Sequence, residues 1–264
     1  MKQTVLITGA ASGMGLSYTK VFGKNGFDMV LVDINGEALE ELRPKLEQKY
    51  GCTVMNIVAD LSKDEAAKEI FDATEAAGVK VDVLVNNAGF GDFGRYIDIP
   101  YAKERAMMGV NCISLMYLTH LYGNDMAKRG GGRILNIASI ASYLPGPYMP
   151  MYYATKAFVY SFSEAVYYEL KSANVHVTCY TPGPAKTSFE KNAKMDGSKM
   201  FTFKPLQGGT ADETAERAYN AVMSGKHHDQ FFKHKVFEVL CRIGPEALRL
   251  PLCTYINIGK FKAD

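Results

Sequence analysis

The eight residues Thr8–Gly15, with the sequence TGAASGMG, follow an apolar run at Thr4–Thr8 and precede a helical pattern. A glycine-rich turn in this position brings backbone close to a pyrophosphate and points a helix N-terminus at it, because glycine has no Cβ and tolerates positive φ. We expect Gly9 to make the turn, Gly13 to allow the close approach and Gly15 to let the helix lie against the strand. The stretch therefore predicts a nucleotide-binding βα unit.

Short apolar runs alternate with helical patterns along the rest of the chain. The further runs expected to be strands are Asp28–Asp33, Thr53–Val58, Val81–Val85, Arg133–Ala138 and Val175–Tyr180. The longest helical stretches are Tyr101–Met126 and Tyr152–Ser172. Strands buried on both faces and joined by helices form a parallel sheet with right-handed crossovers. We therefore predict an α/β single-domain Rossmann fold, a doubly wound parallel sheet of about seven strands with helices on both faces.

The 264 residues contain no linker or change of composition that would divide them, so 1–264 is expected to be one domain. Residues 184–209 are rich in proline and glycine, and we expect them to form a substrate lid. Residues 231–262 are expected to form an apolar helical tail. Packing over the substrate cleft, a subunit contact and a membrane-surface helix are three interpretations of this tail. Pro251 interrupts any long amphipathic face and favours the first two.

The charge balance excludes several classes of protein. Lys and Arg number 30 against 28 Asp and Glu, so no basic field for nucleic acid is present. The five cysteines are scattered and do not have the spacing of metal ligands. No set of carboxylates and histidines accompanies His227, His228 and His234 at such a spacing. We therefore expect no metal site, and we expect these histidines to be solvated. No signal peptide is visible, and no apolar stretch approaches the ~20 residues of a spanning helix. We expect a soluble cytoplasmic protein.

An acidic residue ends the second predicted strand. Asp33 follows Gly15 by 18 positions, where a carboxylate accepts hydrogen bonds from the adenosine ribose hydroxyls. It would repel a 2′-phosphate, and residues 34–36 supply no cation to offset that charge. The predicted cofactor is therefore NAD, with NADP disfavoured. The alternative is an Asp that caps the helix starting near Gly36.

Two side chains with helical spacing indicate acid–base chemistry. Tyr152 and Lys156 are four residues apart, so they lie on one helix face. A nearby ammonium and an oxidised nicotinamide favour the phenolate, which would lower the pKa of Tyr152 from its ordinary value of about 10. Ser139, at the end of a predicted strand, would donate a hydrogen bond to the substrate oxygen. A strand-end cap is the alternative for Ser139.

The chain carries a set of motifs in a definite order, namely TGAASGMG, Asp60, NNAG at 86–89, Asn111, Ser139, YYATK at 152–156 and Pro182-Gly183. With these motifs in the family's order, the sequence resembles the short-chain dehydrogenase/reductase family, in its standard single-domain branch. The resemblance implies an oxidoreductase that transfers a hydride between NAD(H) and a carbinol or carbonyl carbon, with Tyr152 as general acid/base. It also implies that Asn111 holds a water relay behind Lys156. A polar residue satisfied inside a buried helix is the alternative for Asn111. Another reading of the whole chain is a non-catalytic NAD-binding regulatory or redox-sensing protein.

The same resemblance implies the cofactor contacts and the assembly. The cofactor-binding residues would be Gly9, Ser12, Gly13, Met14, Gly15, Asp33, Asp60, Leu61, Asn87, Ala88, Gly89, Tyr152, Lys156, Pro182, Gly183 and Thr187. Helices Tyr101–Met126 and Tyr152–Ser172 would pair across a subunit interface in a homodimer or homotetramer.

Apolar side chains surround the predicted site. They are Phe90, Phe93, Tyr143, Leu144, Tyr148 and Met149, with Phe189, Met195, Met200, Phe201 and Phe203 in the predicted lid. Aromatic and methionine side chains make an adaptable pocket, which favours a hydrophobic secondary alcohol or ketone, steroid-like or acyl-derived. The alternative is that about half of these apolar side chains serve only to pack the core. Asp92 and Arg95 also lie near this entrance and could bind a polar group of the substrate.

Overall fold

The computed structural model describes residues 2–184 and 206–258. Its strands are β1 Thr4–Thr8, β2 Asp28–Asp33, β3 Val54–Val58, β4 Val83–Asn86, β5 Gly132–Ile137, β6 Val175–Tyr180 and β7 His228–Asp229. Its α-helices are α1 Gly13–Lys24, α2 Gly36–Tyr50, α3 Ala66–Ala76, α4 Tyr101–Met108, α5 Leu115–Lys128, α6 Pro150–Leu170, α7 Ala211–Met223, α8 Phe232–Ile243 and α9 Glu246–Ile258. Short 3₁₀ turns lie at Tyr96–Asp98, Ile140–Tyr143 and Lys171–Ala173.

Within the described ranges the seven strands form one parallel sheet in the order β3-β2-β1-β4-β5-β6-β7. The strand order reverses beside β1, so the carboxyl ends of β1 and β4 open a crevice at that edge. The predicted doubly wound Rossmann sheet is confirmed. The predicted bounds of β1, β2 and β6 are reproduced, and the other predicted strands differ at their ends.

Alternate residues of β1 supply the two layers of the core, because successive strand side chains point to opposite faces. Val5 and Ile7 pack with Tyr18 and Phe22 of α1 on one face. Leu6 packs with side chains of α3 and α5 on the other face. The sheet is therefore covered by helices on both sides, which fixes the loops that follow its strands.

The predicted helix Tyr101–Met126 is not regular. A π-helical turn at Gly109–Ser114 separates α4 from α5. Single π turns inside α-helices are frequent at functional sites. This turn contains Asn111.

Helices α8 and α9 form within the predicted tail, and they pack beside the 3₁₀ turn Ile140–Tyr143 and the start of α6. The hydroxyl of Tyr153 donates to Oδ1 of Asn257 over 2.9 Å, and Nδ2 of Asn257 donates to the carbonyl of Pro147 over 2.7 Å. The interpretation that the tail packs over the cleft is thus supported. No helix in the described part of the chain is both long and apolar enough to cross a membrane.

The prediction of solvated histidines is wrong for His234, which is fully buried. Its Nε2 lies 3.0 Å from the carbonyl oxygen of Leu206, and burial lowers its pKa. His228 is half-buried and only His227 is exposed. The contacts of His234 with Gly183 and Leu206 produce this burial, which spacing along the sequence does not show.

Candidate active site

The glycine-rich turn between β1 and α1 has the backbone that its sequence predicts. Gly9 and Gly13 adopt positive φ angles of 65° and 55°. A Cβ on Gly15 would overlap the carbonyl oxygen of Gly9, so this close approach requires glycine. Ser12 occupies the N-cap position of α1, but its side chain makes no capping hydrogen bond. The first N–H groups of α1 therefore remain available to an anion.

The NNAG segment is tied directly to this turn. Nδ2 of Asn87 donates to the carbonyls of Thr8 and Gly9 over 2.9 and 3.2 Å. The backbone N–H groups of Asn87 and Ala88 donate to Oγ1 of Thr8. These bonds hold the loops after β1 and β4 side by side, and residues of both loops line one cavity.

That cavity has a volume of about 360 Å³. Most of the predicted cofactor residues line it, namely Gly9, Ser12, Gly13, Met14, Asp33, Asp60, Leu61, Asn87, Ala88 and Gly89. Gly15 lies behind the turn. The wall also includes Ile34, Ala59, Ser62, Phe90, Ala106 and Val110, which the prediction did not name as cofactor contacts. Four of these residues lie in the loops that follow β2, β3 and β4, while Ala106 lies on α4 and Val110 in the π turn.

Two carboxylates, those of Asp33 and Asp60, line this cavity. Asp33 accepts from the backbone N–H of Ala11 and of Asn35, each over 3.0 Å. The cap of α2 is Asn35 instead of Asp33, because Oδ1 of Asn35 accepts from the N–H of Ala38. Asp60 accepts from the N–H of Ser62, and this hydrogen bond lowers the pKa of Asp60.

A second cavity, of about 100 Å³, adjoins the first. The two share Met14, Asn87 and Gly89 as lining residues. Ser139, Tyr152 and Lys156 line the second cavity, and Pro182 and Gly183 form another part of its wall. The structure thus gathers three of the four predicted catalytic side chains in one cavity beside the glycine-rich turn.

The predicted lowering of the Tyr152 pKa by Lys156 is wrong for the chain's own groups. Burial raises the pKa of the phenol to about 12, and a hydrogen bond with the Ser139 side chain opposes that rise. Nζ of Lys156 lies 5.9 Å from the centre of the Tyr152 ring and donates to the carbonyl of Ile137 over 2.8 Å. The ammonium itself is buried, which lowers the pKa of Lys156 to about 8.

Ser139 lines the cavity and also makes a hydrogen bond within its own loop. Its Oγ accepts from the N–H of Ala141 over 3.1 Å and begins the 3₁₀ turn Ile140–Tyr143. The alternative of a strand-end cap is therefore also present. A serine hydroxyl can accept this bond and still donate its own proton to another oxygen.

Asn111 lies outside the second cavity, directly behind its wall. Its Oδ1 accepts from the N–H of Phe90, and its Nδ2 donates to the carbonyl of Phe90 and to Oγ1 of Thr155. A Cβ on Gly89 would lie 3.1 Å from Oδ1 of Asn111 and 3.4 Å from Nζ of Lys156. Asn111 thus fixes the loop after NNAG against α6, and Gly89 leaves room between the amide and the ammonium.

The family is decided by comparison with known proteins. The family model described as short chain dehydrogenase matches residues 3–197, which contain the turn, the NNAG loop and the Ser139, Tyr152 and Lys156 cluster. The chain belongs to the short-chain dehydrogenase/reductase family. It is 33% identical over 195 residues to the very-long-chain 3-oxoacyl-CoA reductase of Anas platyrhynchos, covering 72% of this chain and 62% of that protein.

Two further relatives extend the comparison. Human 17-beta-hydroxysteroid dehydrogenase type 3 is 32% identical over 228 residues, which are 85% of this chain and 70% of the human protein. A short-chain dehydrogenase from Sphingobium yanoikuyae, solved in complex with NADPH, superimposes with a TM-score of 0.81 at 25% identity. That superposition covers 99% of this chain and 98% of the solved one.

The residues predicted to surround the substrate lie in different parts of the structure. Leu144 lines the second cavity. Phe90, Phe93, Tyr143 and Met149 belong to the apolar cluster around Tyr152, and Tyr148 stacks on Phe93. Asp92 is paired with Lys103 at 2.7 Å and Arg95 with Asp98 at 3.8 Å, so neither charge is unpaired. Thr187 and the five predicted lid residues lie outside the described residues.

Sequence reasoning missed part of the cavity wall of this family member. Phe237 of α8, with Cys253 and Ile256 of α9, lines the cavity beside Tyr152, and so does Leu206. The apolar pattern of the tail includes Phe237 and Ile256, but pattern alone does not say which surface they cover. The hydrogen bond between Tyr153 and Asn257 brings that surface to the site.

Proposed function

We propose that this protein transfers a hydride between NAD(H) and the carbinol or carbonyl carbon of a hydrophobic secondary alcohol or ketone, acyl-derived or steroid-like. The observation that carries the proposal is the shared wall of the two cavities. Met14, Asn87 and Gly89 border both the cavity of the glycine-rich turn and the cavity of Tyr152. A dinucleotide along the turn would thus present its reactive ring to a substrate beside Tyr152.

The protonation state of Tyr152 is compatible with its role as the proton donor in ketone reduction. A phenol with a pKa of about 12 keeps its proton at neutral pH, so Tyr152 can give that proton to a carbonyl oxygen. Ser139, hydrogen-bonded to Tyr152, would donate to the same oxygen and hold it in place. Bound dinucleotide supplies the hydride, and its oxidised ring carries a positive charge. In the reverse direction that charge would favour the phenolate of Tyr152.

The end of the first cavity favours NAD over NADP. Asp33 places a carboxylate in the wall, and no Lys or Arg is among the described residues that line this cavity. A 2′-phosphate there would meet a negative charge without a compensating cation. Thr187 is proposed, by the family likeness, to meet the nicotinamide end together with Pro182 and Gly183.

The substrate class is supported by the lining and by the relatives. The second cavity is lined mainly by apolar side chains, including Ile140, Leu144, Phe237, Cys253 and Ile256. An apolar lining favours a substrate that is hydrophobic where it contacts the cavity. The relatives named above are a reductase of very-long-chain 3-oxoacyl-CoA and a hydroxysteroid dehydrogenase. The substrates in these two names share a carbonyl or hydroxyl group on a large apolar skeleton.

We propose a homodimer or homotetramer that pairs the region of α4 and α5 with α6. Ile113, Met116 and Phe158 are large apolar side chains on these elements that remain partly exposed. The mass of the protein in solution, measured by sedimentation, tests this proposal, and a monomer at all concentrations would contradict it.

Absorbance of NADH with a panel of ketones tests the proposed reaction. We expect oxidation of NADH with long-chain 3-oxoacyl thioesters or steroid ketones and little with sugars. Tyr152→Phe should lower kcat by about a thousandfold or more with little effect on NADH binding, since only the proton donor is removed. Binding of NADH without turnover of any ketone would instead favour the regulatory protein.

A further inference from the structure

Helix α8 carries a stripe of large apolar side chains that are exposed to solvent. The stripe consists of Phe232, Val236, Val239, Leu240 and Ile243. At 100° per residue these five positions occupy about 100° of the helix circumference. On α9, Leu248, Leu250 and Leu252 are exposed as well. Eight of the seventeen exposed large apolar side chains of the described residues therefore lie on these two helices.

Cationic side chains border this stripe on both sides. Lys233 follows one edge of the stripe around the helix, while Lys235 and Arg242 follow the other edge, and all three are exposed. The one acidic residue of α8, Glu238, is buried and bonded to Gln230 and Arg242. An exposed apolar stripe with Lys and Arg on its flanks is typical of helices that lie in a membrane interface.

Buried side chains of the same helices belong to the site. Phe237 of α8 and Cys253 and Ile256 of α9 line the cavity that contains Tyr152. His234 and Cys241 of α8 are buried as well. The exposed stripe is thus separated from the cavity by one helix diameter, about 10 Å.

Two kinds of partner could cover an exposed apolar stripe, and the charges decide between them. In a two-fold contact the same patch meets itself, so Lys233 and Lys235 of two copies would be brought together, whereas Arg242 is already paired with Glu238. The described exposed side chains of α8 offer no carboxylate to neutralise them. A bilayer with anionic headgroups offers the complementary charge together with an apolar interior.

We infer that the exposed stripe of α8 docks on the surface of an anionic lipid bilayer. Helix α8 lies in the interface without crossing it, and its other side encloses the site. A lipophilic substrate would then exchange between the bilayer and the cavity over a short distance. The docking itself does not depend on the proposed reaction.

Sedimentation of the purified full chain with vesicles tests the inference. We expect binding to vesicles of phosphatidylglycerol and phosphatidylcholine in equal parts and about tenfold weaker partitioning to phosphatidylcholine alone. Ile243→Glu should reduce partitioning to the anionic vesicles about tenfold or more, because a carboxylate would enter the stripe. Lys233→Gln with Lys235→Gln should weaken binding to anionic vesicles and leave the weak binding to phosphatidylcholine unchanged.

Tyr168→Glu is the matched control. Tyr168 is 82% exposed and Ile243 is 77% exposed, so both positions tolerate a charge without loss of packing. Tyr168 lies on α6 sixteen residues beyond Tyr152, which places it about 24 Å along the helix from the site. Its variant should partition within about twofold of the wild type. Phe232→Asp repeats the test should Ile243→Glu unfold, as monitored by circular dichroism.

Two outcomes would overturn the inference. Wild-type protein that stays in the supernatant with both kinds of vesicle has no membrane-docking surface. If Ile243→Glu instead lowers the mass of the protein in solution while vesicle binding is absent, the stripe is a contact between copies of the chain. Turnover of a soluble short-chain ketone, measured without vesicles, tests the proposed function separately.

Discussion

The hydroxyl of Tyr153 donates a hydrogen bond to Oδ1 of Asn257 over 2.9 Å, across 104 residues of sequence. Tyr153 is adjacent to Tyr152 on α6, and Asn257 is near the end of α9. Both side chains are buried, and Asn257 also holds the carbonyl of Pro147. This pair therefore fixes the tail against the helix that carries Tyr152, and it sets the shape of the cavity between them.

Breaking this pair should affect the substrate more than the dinucleotide. Tyr153→Phe leaves Oδ1 of Asn257 buried without its donor, and we expect a loss of about 1–3 kcal/mol in the free energy of unfolding. The KM for the ketone should rise severalfold while the KM for NADH changes little, because α9 lines the cavity of Tyr152 and does not line the cavity of the glycine-rich turn. Denaturant unfolding and steady-state kinetics measure both effects. Tyr168→Phe, on the exposed end of α6, is the control, and equal effects of the two variants would contradict this view.

Gly183 is another position where the site depends on close packing. A Cβ there would overlap the carbonyl oxygen of Leu206 and meet the ring of His234. We expect Gly183→Ala to destabilise the protein by about 1–3 kcal/mol, because backbone and a buried ring must shift. Gly208→Ala is the matched control, since its Cβ would find its nearest neighbour, the carbonyl oxygen of Gly183, at 3.3 Å. Equal unfolding midpoints for the two variants would show that the loop adjusts freely.

The sheet could be predicted from sequence because its determinants are local. Buried apolar runs separated by helical patterns indicate a parallel sheet, and the glycines of Thr8–Gly15 mark the turn after β1. The capping box at Thr210 and Glu213 is also local and is present in the structure. The similar pattern at Ser62 and Glu65 is not a cap, because α3 begins at Ala66 and Ser62 instead donates its N–H to Asp60.

The features that sequence did not reveal depend on contacts between distant segments. A π turn changes one step of the helical hydrogen-bond pattern, so the apolar spacing around Asn111 remains that of a helix. Burial of His234 follows from Leu206, and the position of α9 follows from Tyr153. The rise of the Tyr152 pKa likewise comes from burial by the surrounding segments, which the spacing of Tyr152 and Lys156 does not indicate.

Cofactor preference should depend on the charge at the end of β2. Asp33→Asn combined with Ile34→Arg removes a carboxylate and adds a cation at a side chain that is 66% exposed beside the cavity. We expect the ratio of kcat/KM for NADPH over NADH to rise about tenfold to a hundredfold, as an opposite charge near a phosphate would give. Glu41→Arg, on the exposed side of α2, controls for net charge and should leave the ratio unchanged. Wild-type protein that uses NADPH as well as NADH would contradict the role assigned to Asp33.

Lys156 should lower the free energy of unfolding of the protein, although the proposed reaction requires it. Burial lowers its pKa from an ordinary 10.5 to about 8, so the folded chain holds the proton less tightly than the unfolded chain does. Between these two pH values the unfolded state binds more protons, and the free energy of unfolding therefore rises with pH across that window. Below pH 8 the buried ammonium costs about 3 kcal/mol relative to an exposed one.

Lys156→Met should therefore unfold at a higher temperature than the wild type at neutral pH, by up to about 3 kcal/mol in free energy, while losing activity. Its stability should also change less between pH 8 and pH 10 than that of the wild type. Calorimetry at several pH values measures both effects. Lys128→Met, which removes an exposed lysine at the end of α5, should change neither the midpoint nor its dependence on pH. A lower midpoint for Lys156→Met at neutral pH would mean that its bond to the carbonyl of Ile137 outweighs the cost of burying the charge.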